Sequence, residues 1–267
     1  MVSARWLVTT SIVSSGLFAQ IPPDVDSKPR VPVSEFADAR ETRNMPPPSE
    51  RAAITPEMRG DILMARKQYR DAIDAYKQAP QSAVMMNKIG IGYHQLIDFD
   101  SAKRYYDRAQ KLNPKYPEAI NNLGTIHYAQ KSYRRAISQY LKALRLSPKS
   151  ASILSNLGTA YFARKRYDDA FKAYQDALAI DPEVFEHRSS QGVLLQERSV
   201  DERAKFHFYL AKTYAKAGQH ERALLYMRKS IEEGFKDKQK YKEDPEFAAM
   251  RELPEFQELL ILEPRVL

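Results

Sequence analysis

Five histidines, His94, His127, His187, His207 and His220, are the readiest candidates for acid–base or metal chemistry. None of their separations matches a metal-ligand spacing. His187 and Glu183 stand at i, i+4, a pairing that helices contain in number, so it marks no site. Cysteine is absent. That excludes disulfides, thiolate metal sites and a cysteine nucleophile. The chain holds no GxGxxG loop and no GxxxxGK loop for phosphates. Asp168-Asp169 opens a helical stretch, where acids suit the positive end of the helix dipole. With no convergent acid, base or metal set, the sequence predicts a non-enzymatic protein with no cofactor. Its sixteen tyrosines mostly recur at fixed intervals, which assigns them to packing and leads to the elements that position everything else.

Those elements repeat every 34 residues. Gly90, Gly124 and Gly158 keep that spacing, as do Ala102, Ala136 and Ala170, then Tyr106, Tyr140 and Tyr174, then Pro114, Pro148 and Pro182. Within a block the apolar period is near 3.6, the mark of amphipathic helix. Ile120, Leu123, Gly124 and His127 share one face of a first helix. Tyr133, Ala136, Tyr140, Ala143 and Leu144 share one face of a second. Ser147-Pro148 then ends that helix, because proline cannot continue the hydrogen-bond ladder. Small residues at Gly124, Ala136 and Ala143 let the two helices approach, and tyrosines fill the space beside them.

This order of markers resembles the tetratricopeptide repeat: a bulky residue, Leu-Gly, an aromatic, an Ala, a second aromatic, another Ala and a closing Pro. Met86, Ile120 and Leu154 stand where the family often has Trp, and His127 replaces an aromatic. The resemblance implies an all-α, right-handed superhelical solenoid of antiparallel helix pairs. Units are expected over 51–182, with strong repeats at 83–116, 117–150 and 151–184 and a weaker one at 53–82. Residues 183–203 read as a degenerate half-repeat or insertion, with Gln196–Asp201 as polar loop. A divergent unit at 204–234 and capping helices at 235–267 follow. Asp244 is expected to cap a helix whose first position is Pro245. The tail from Asp244 to Leu260 is similar to the C-terminal end of exported bacterial proteins of this family.

In such a solenoid the first helices line a concave groove. Carried onto this chain, its lining is Asn87, Lys88, Ile91 and His94, then Asn121, Asn122, Thr125 and Tyr128, then Ser155, Asn156, Thr159 and Phe162. Lys205, Phe208, Tyr209 and Lys212 continue it in the divergent unit. An Asn amide offers both donor and acceptor, so it can satisfy a peptide group whatever side chain that residue bears. The expected ligand is therefore an extended peptide segment of another protein. The family's Lys-and-Asn clamp for a C-terminal carboxylate is not carried over, since Asn87 and Ile91 occupy its places.

Charge adds a second possibility. The net charge is +8, but residues 51–230 hold 31 basic against 18 acidic side chains while 231–267 carry four more acids than bases. Either the basic array is a solvated face that keeps the repeats soluble, or it meets an anionic envelope polymer or lipid. Nucleic acid is not expected, because no helix-turn-helix, zinc or RNA-reading motif accompanies the charge. Met1–Ala19 reads as an export signal: Arg5, an apolar run, then Leu17-Phe18-Ala19 before Gln20. The alternative is an uncleaved anchor. Residues 20–50, with Pro22, Pro23, Pro29, Pro32 and Pro46–Pro48, read as a disordered linker. The expected location is periplasmic or extracellular.

Overall fold

The computed structural model describes residues 54–186 and 199–263. The expected export signal, the Pro-rich linker, His187 and most of the suspected insertion lie outside them. Among the described residues there are twelve α-helices, one 3-10 helix and no strand. The helices come in antiparallel pairs: α1 (Pro56–Ala65) with α2 (Tyr69–Lys77), α3 (Ala83–Gln95) with α4 (Phe99–Leu112), and α5 (Pro117–Ala129) with α6 (Tyr133–Leu146). They continue as α7 (Ala151–Ala163) with α8 (Tyr167–Ile180), and α9 (Val200–Lys216) with α10 (His220–Glu232). A short α11 (Gln239–Glu243), a 3-10 turn over Pro245–Met250 and α12 (Pro254–Ile261) close the array. None of these helices is long and apolar enough to cross a membrane.

Four of the five pairs, all but α9 with α10, are locked by the same contact. Tyr140 of α6 is fully buried with its ring against Gly124 of α5. A Cβ at Gly124 would stand 2.6 Å from the ring carbon Cε1, closer than real side chains approach. Tyr106 packs on Gly90 and Tyr174 on Gly158 in the same way. The glycine is thus the socket and the tyrosine the plug, so both keep the 34-residue interval.

Local signals set the helix starts. The Thr55 hydroxyl accepts from the Met58 amide at 3.1 Å, with Pro56 next to it. Ser82 does the same for Met85 at 3.1 Å, and the Asp98 carboxylate for Ser101 at 3.0 Å. Side-chain acceptors of this kind satisfy amides that have no partner inside the helix.

The turns between first and second helices share one backbone form. The residue after the helix is left-handed at Lys67, Ile97, Lys131, Lys165 and Gly218, with φ of 60°, 61°, 57°, 59° and 73°. Lys131 N–H donates to the Tyr128 carbonyl and Ser132 N–H to the His127 carbonyl, both at 2.8 Å. That is the Schellman ending, which normally takes glycine. Only the last of these five turns uses one.

Successive first helices also touch directly, α3 with α5 and α5 with α7, whereas the second helices are held further apart. The first helices therefore form the inside of the bend and the second helices the outside. At the C-terminal end the packing changes character. Phe208 stacks on Phe235 at 4.5 Å, and Tyr241, Phe247 and Phe256 close around them, all deeply buried. This aromatic core takes the place of another repeat, and Glu252, Glu255 and Glu258 face outward as a solvating cap.

Two local expectations are corrected. Helix α9 starts at Val200, inside the stretch read as polar loop, because the Ser199 hydroxyl accepts from Glu202 N–H at 3.3 Å and Asp201 and Glu202 suit the first turn. Asp244 precedes a 3-10 turn rather than an α-helix and makes no side-chain cap. Its carboxylate goes to Lys212 of α9 at 2.8 Å instead.

Candidate partner-binding surfaces

Helices α3, α5 and α7 bring Asn87, Asn121, Asn122 and Asn156 together and bury them, with 1–5% of each exposed. Asn156 Nδ2 donates to Asn121 Oδ1 at 3.1 Å. Asn121 Nδ2 donates to Asn122 Oδ1 at 3.4 Å, and Asn122 Nδ2 to Asn87 Oδ1 at 3.0 Å. One chain of amides thus runs across three repeats. These groups were the expected grip on a peptide backbone, yet each already spends capacity on a neighbour. Buried amides left unpaired are costly, which is why a 34- or 35-residue separation between copies suits them to one another.

Thr125 and Thr159 are buried behind the same wall. Each hydroxyl donates to the carbonyl four residues earlier, Asn121 at 3.2 Å and Ser155 at 2.9 Å. Each accepts from the plug tyrosine, Tyr140 at 3.4 Å and Tyr174 at 3.3 Å. In the first strong repeat Ile91 stands at that place, and the Tyr106 hydroxyl, also buried, has no partner. Burial pushes the phenols of Tyr106 and Tyr140 upward.

The remaining expected groove residues go to other neighbours. Lys88 bridges back to Glu57 and Asp61 of α1, both at 2.8 Å. Lys212 is held by Asp244 and by Glu246 at 3.3 Å, so the C-terminal turn occupies that end of the face. Lys205 lies 3.9 Å above the Tyr167 ring. Phe208 and Tyr209 are buried. His94, Tyr128 and Ser155 are half-buried. Burial holds the His94 imidazole below its ordinary pKa, so it is neutral at physiological pH.

A second surface lies at the turn edge, and the sequence reading did not single it out. His94 with Phe99, Tyr128 with Tyr133, and Phe162 with Tyr167 form one aromatic pair per repeat, at centroid separations of 5.7, 5.2 and 5.3 Å. Between the last two pairs opens a cleft of about 350 Å3, walled also by Lys131, Lys165, Lys205, Asp201 and Glu202. Beside it a shallower cleft of about 450 Å3 is lined by Lys131, Ser132, Tyr133, Arg134, Arg135 and Arg164. The usable signal was the two dense basic runs Lys131–Arg135 and Arg164–Arg166, with Lys131 and Lys165 at matching places of two repeats, masked by the high overall basic content. Among the described residues no group of three acid or histidine side chains could hold a metal.

Helix pairs in register, four of the five closed by a tyrosine on a glycine, define a helical repeat solenoid. Residues 116–183 match the tetratricopeptide repeat family, and residues 84–116 match it again. The chain is a tetratricopeptide-repeat protein, and such repeats are protein–protein interaction modules. Solved structures with the same repeat fold include MamA, 21% identical, covering 65% of this chain and 93% of that one with a TM-score of 0.45. MamA of Desulfovibrio magneticus RS-1 is 20% identical over 65% and 89%, with a TM-score of 0.45. YrrB, described as a repeat protein of this family with an unusual peptide-binding site, is 21% identical over 47% and 67%, with a TM-score of 0.42. These likenesses concern the fold alone. No protein of curated function matches the sequence.

Proposed function

We propose that this solenoid is a non-catalytic adaptor that holds an extended segment of a partner protein along its inner wall. The observation that carries the reading is the asparagine chain. It ties α3, α5 and α7 into one wall whose spacing is set before any partner arrives, and a surface ordered in advance loses less entropy on binding. Lys88, His94, Tyr128 and Ser155 line that wall as its half-buried, accessible side chains, while the asparagines act as its frame. A photo-crosslinking residue at Ser155 or Tyr128 should capture a partner polypeptide in extracts. The same residue at Leu141 or Ile180, exposed on the second helices, should not. Capture from the outer positions alone would reject the reading.

The adaptor is further proposed to work outside the cytoplasm, on the strength of the Met1–Ala19 pattern. N-terminal sequencing of the mature protein should begin at Gln20. A mature chain that retains Met1 and partitions with cytosolic proteins would contradict this.

A further inference from the structure

We infer that the turn edge between the second and third strong repeats is a docking site for an acidic segment of a partner polypeptide carrying an apolar side chain beside its acids. The inference rests on the adaptor reading and adds the class of segment and its anchor point. Lys131, Arg134, Arg135, Arg164 and Lys165 gather here, and none makes an ion pair among the described residues. Several cations elsewhere are compensated, Lys88 by Glu57 and Asp61, Lys103 by Asp107, Lys212 by Asp244 and Arg222 by Glu183; what sets these five apart from the other unpaired surface cations is that they crowd two neighbouring clefts. Even the adjacent Arg166 has Asp169 at 2.8 Å. Clustered like charges with no internal partner attract a ligand of opposite sign. Guanidinium groups at Arg134, Arg135 and Arg164 suit carboxylates, which they can bind through two parallel hydrogen bonds.

The turn supplies a second observation. Lys131 and Lys165 hold left-handed backbone where Gly218 stands in the last unit. The turn geometry favours glycine, yet Lys67 and Ile97 also hold it, so it places these two lysine side chains at the edge without by itself marking them for binding. Both lysines line the aromatic cleft.

The shape and the far wall decide between ligands. The basic and aromatic clefts share Lys131 and Tyr133, so they lie side by side on one face. The aromatic cleft, of about 350 Å3, has the size of a pocket for an apolar side chain. Tyr128 leans on Tyr133 at an interplanar angle of 55°, Phe162 stands edge-on to Tyr167 at 66°, and Tyr167 is stacked on Tyr209. The rings are thus engaged with one another, which disfavours base stacking by nucleic acid. Asp201 and Glu202 close the far end. They would repel a uniform polyanion or a phosphate-rich lipid surface, but they accept hydrogen bonds from a peptide backbone.

The test is selection of a random dodecapeptide display library on the full chain, followed by binding of the selected peptides to purified variants. Selected sequences should place two or more acids next to an aromatic or aliphatic residue. Arg134→Ala/Arg135→Ala, both positions exposed, should weaken them at least tenfold with an unchanged melting temperature. Lys131→Gly should weaken them several-fold while the melting temperature rises. Binding should also fall steeply as salt is raised. No selected peptide, peptides without acids, or equal binding to the double variant would overturn the inference. So would co-sedimentation with phosphatidylglycerol vesicles that needs the same arginines while no peptide is selected, since that would make lipid the ligand. Retained crosslinking from Ser155 alongside any of these results would reject the turn-edge site and leave the adaptor reading standing.

Discussion

On the inner wall, four asparagines recur with the repeat, lie buried, and bond to one another from Asn156 through Asn121 and Asn122 to Asn87. At the turn edge, five cations gather on two consecutive turns, lie mostly exposed, and make no ion pair among the described residues. Both sets are polar, yet they do opposite work. The first satisfies itself, so its periodicity is a property of how repeats join. The second makes no ion pair among the described residues, so it leaves something for a partner to supply. In a repeat protein, a polar residue at a groove position is therefore no mark of binding until its hydrogen bonds have been traced.

The comparison breaks most visibly at Asn121. Asn121→Ala removes the acceptor of one Asn156 hydrogen bond and strands the Asn122 acceptor, and should cost about 2 kcal/mol. Urea unfolding checks this, and a midpoint unchanged from wild type would mean the wall does not depend on the chain. A smaller contrast lies just behind the wall. Tyr140→Phe removes the hydroxyl that donates to Thr125 and should cost about 1 kcal/mol. Tyr106→Phe removes one with no partner and should be neutral or stabilising. Equal losses in the two variants would erase the distinction. At the turn edge, Lys131→Gly should raise stability by about 0.5 kcal/mol, the left-handed strain relieved less the added freedom of the unfolded chain.

The smallest effect concerns pH. Burial lowers the pKa values of His94 and His127, and Lys103 and Arg135 press His127 further the same way, with Asp107 opposing. Below the ordinary value of 6.5 the unfolded chain takes up protons that the folded protein refuses. Stability is therefore full above about pH 6.5 and falls as pH drops through the window below it. His127→Phe, which restores an aromatic at that marker, should flatten part of the slope in unfolding free energy between pH 7 and 5. An unchanged slope would remove His127 from the account.

The helix pairs are legible in the sequence because a tyrosine that must sit on a glycine fixes both residues at one interval, and prolines mark the ends. The site is less legible for two physical reasons. A buried Asn and an exposed Asn look alike in a sequence. Only the distance from Asn122 to Asn87, across 35 residues, separates a frame from a grip. The aromatic core at the C-terminus is the second case. Phe208, Phe235, Tyr241 and Phe247 follow no repeat, and Asp244 looks like a helix cap until Lys212 is seen to claim it. Long-range pairings of that kind leave no local pattern to read.

The central claim is that the inner-wall asparagines are committed to one another. Hydrogen exchange of their side-chain amides, followed by NMR on the full chain, tests it most directly. The account predicts that the Nδ2 protons of Asn121, Asn122 and Asn156 exchange far more slowly than that of the exposed Asn113, and that Asn121→Ala speeds exchange at Asn156. Exchange at all three as fast as at Asn113 would show an open row of amides and contradict the account.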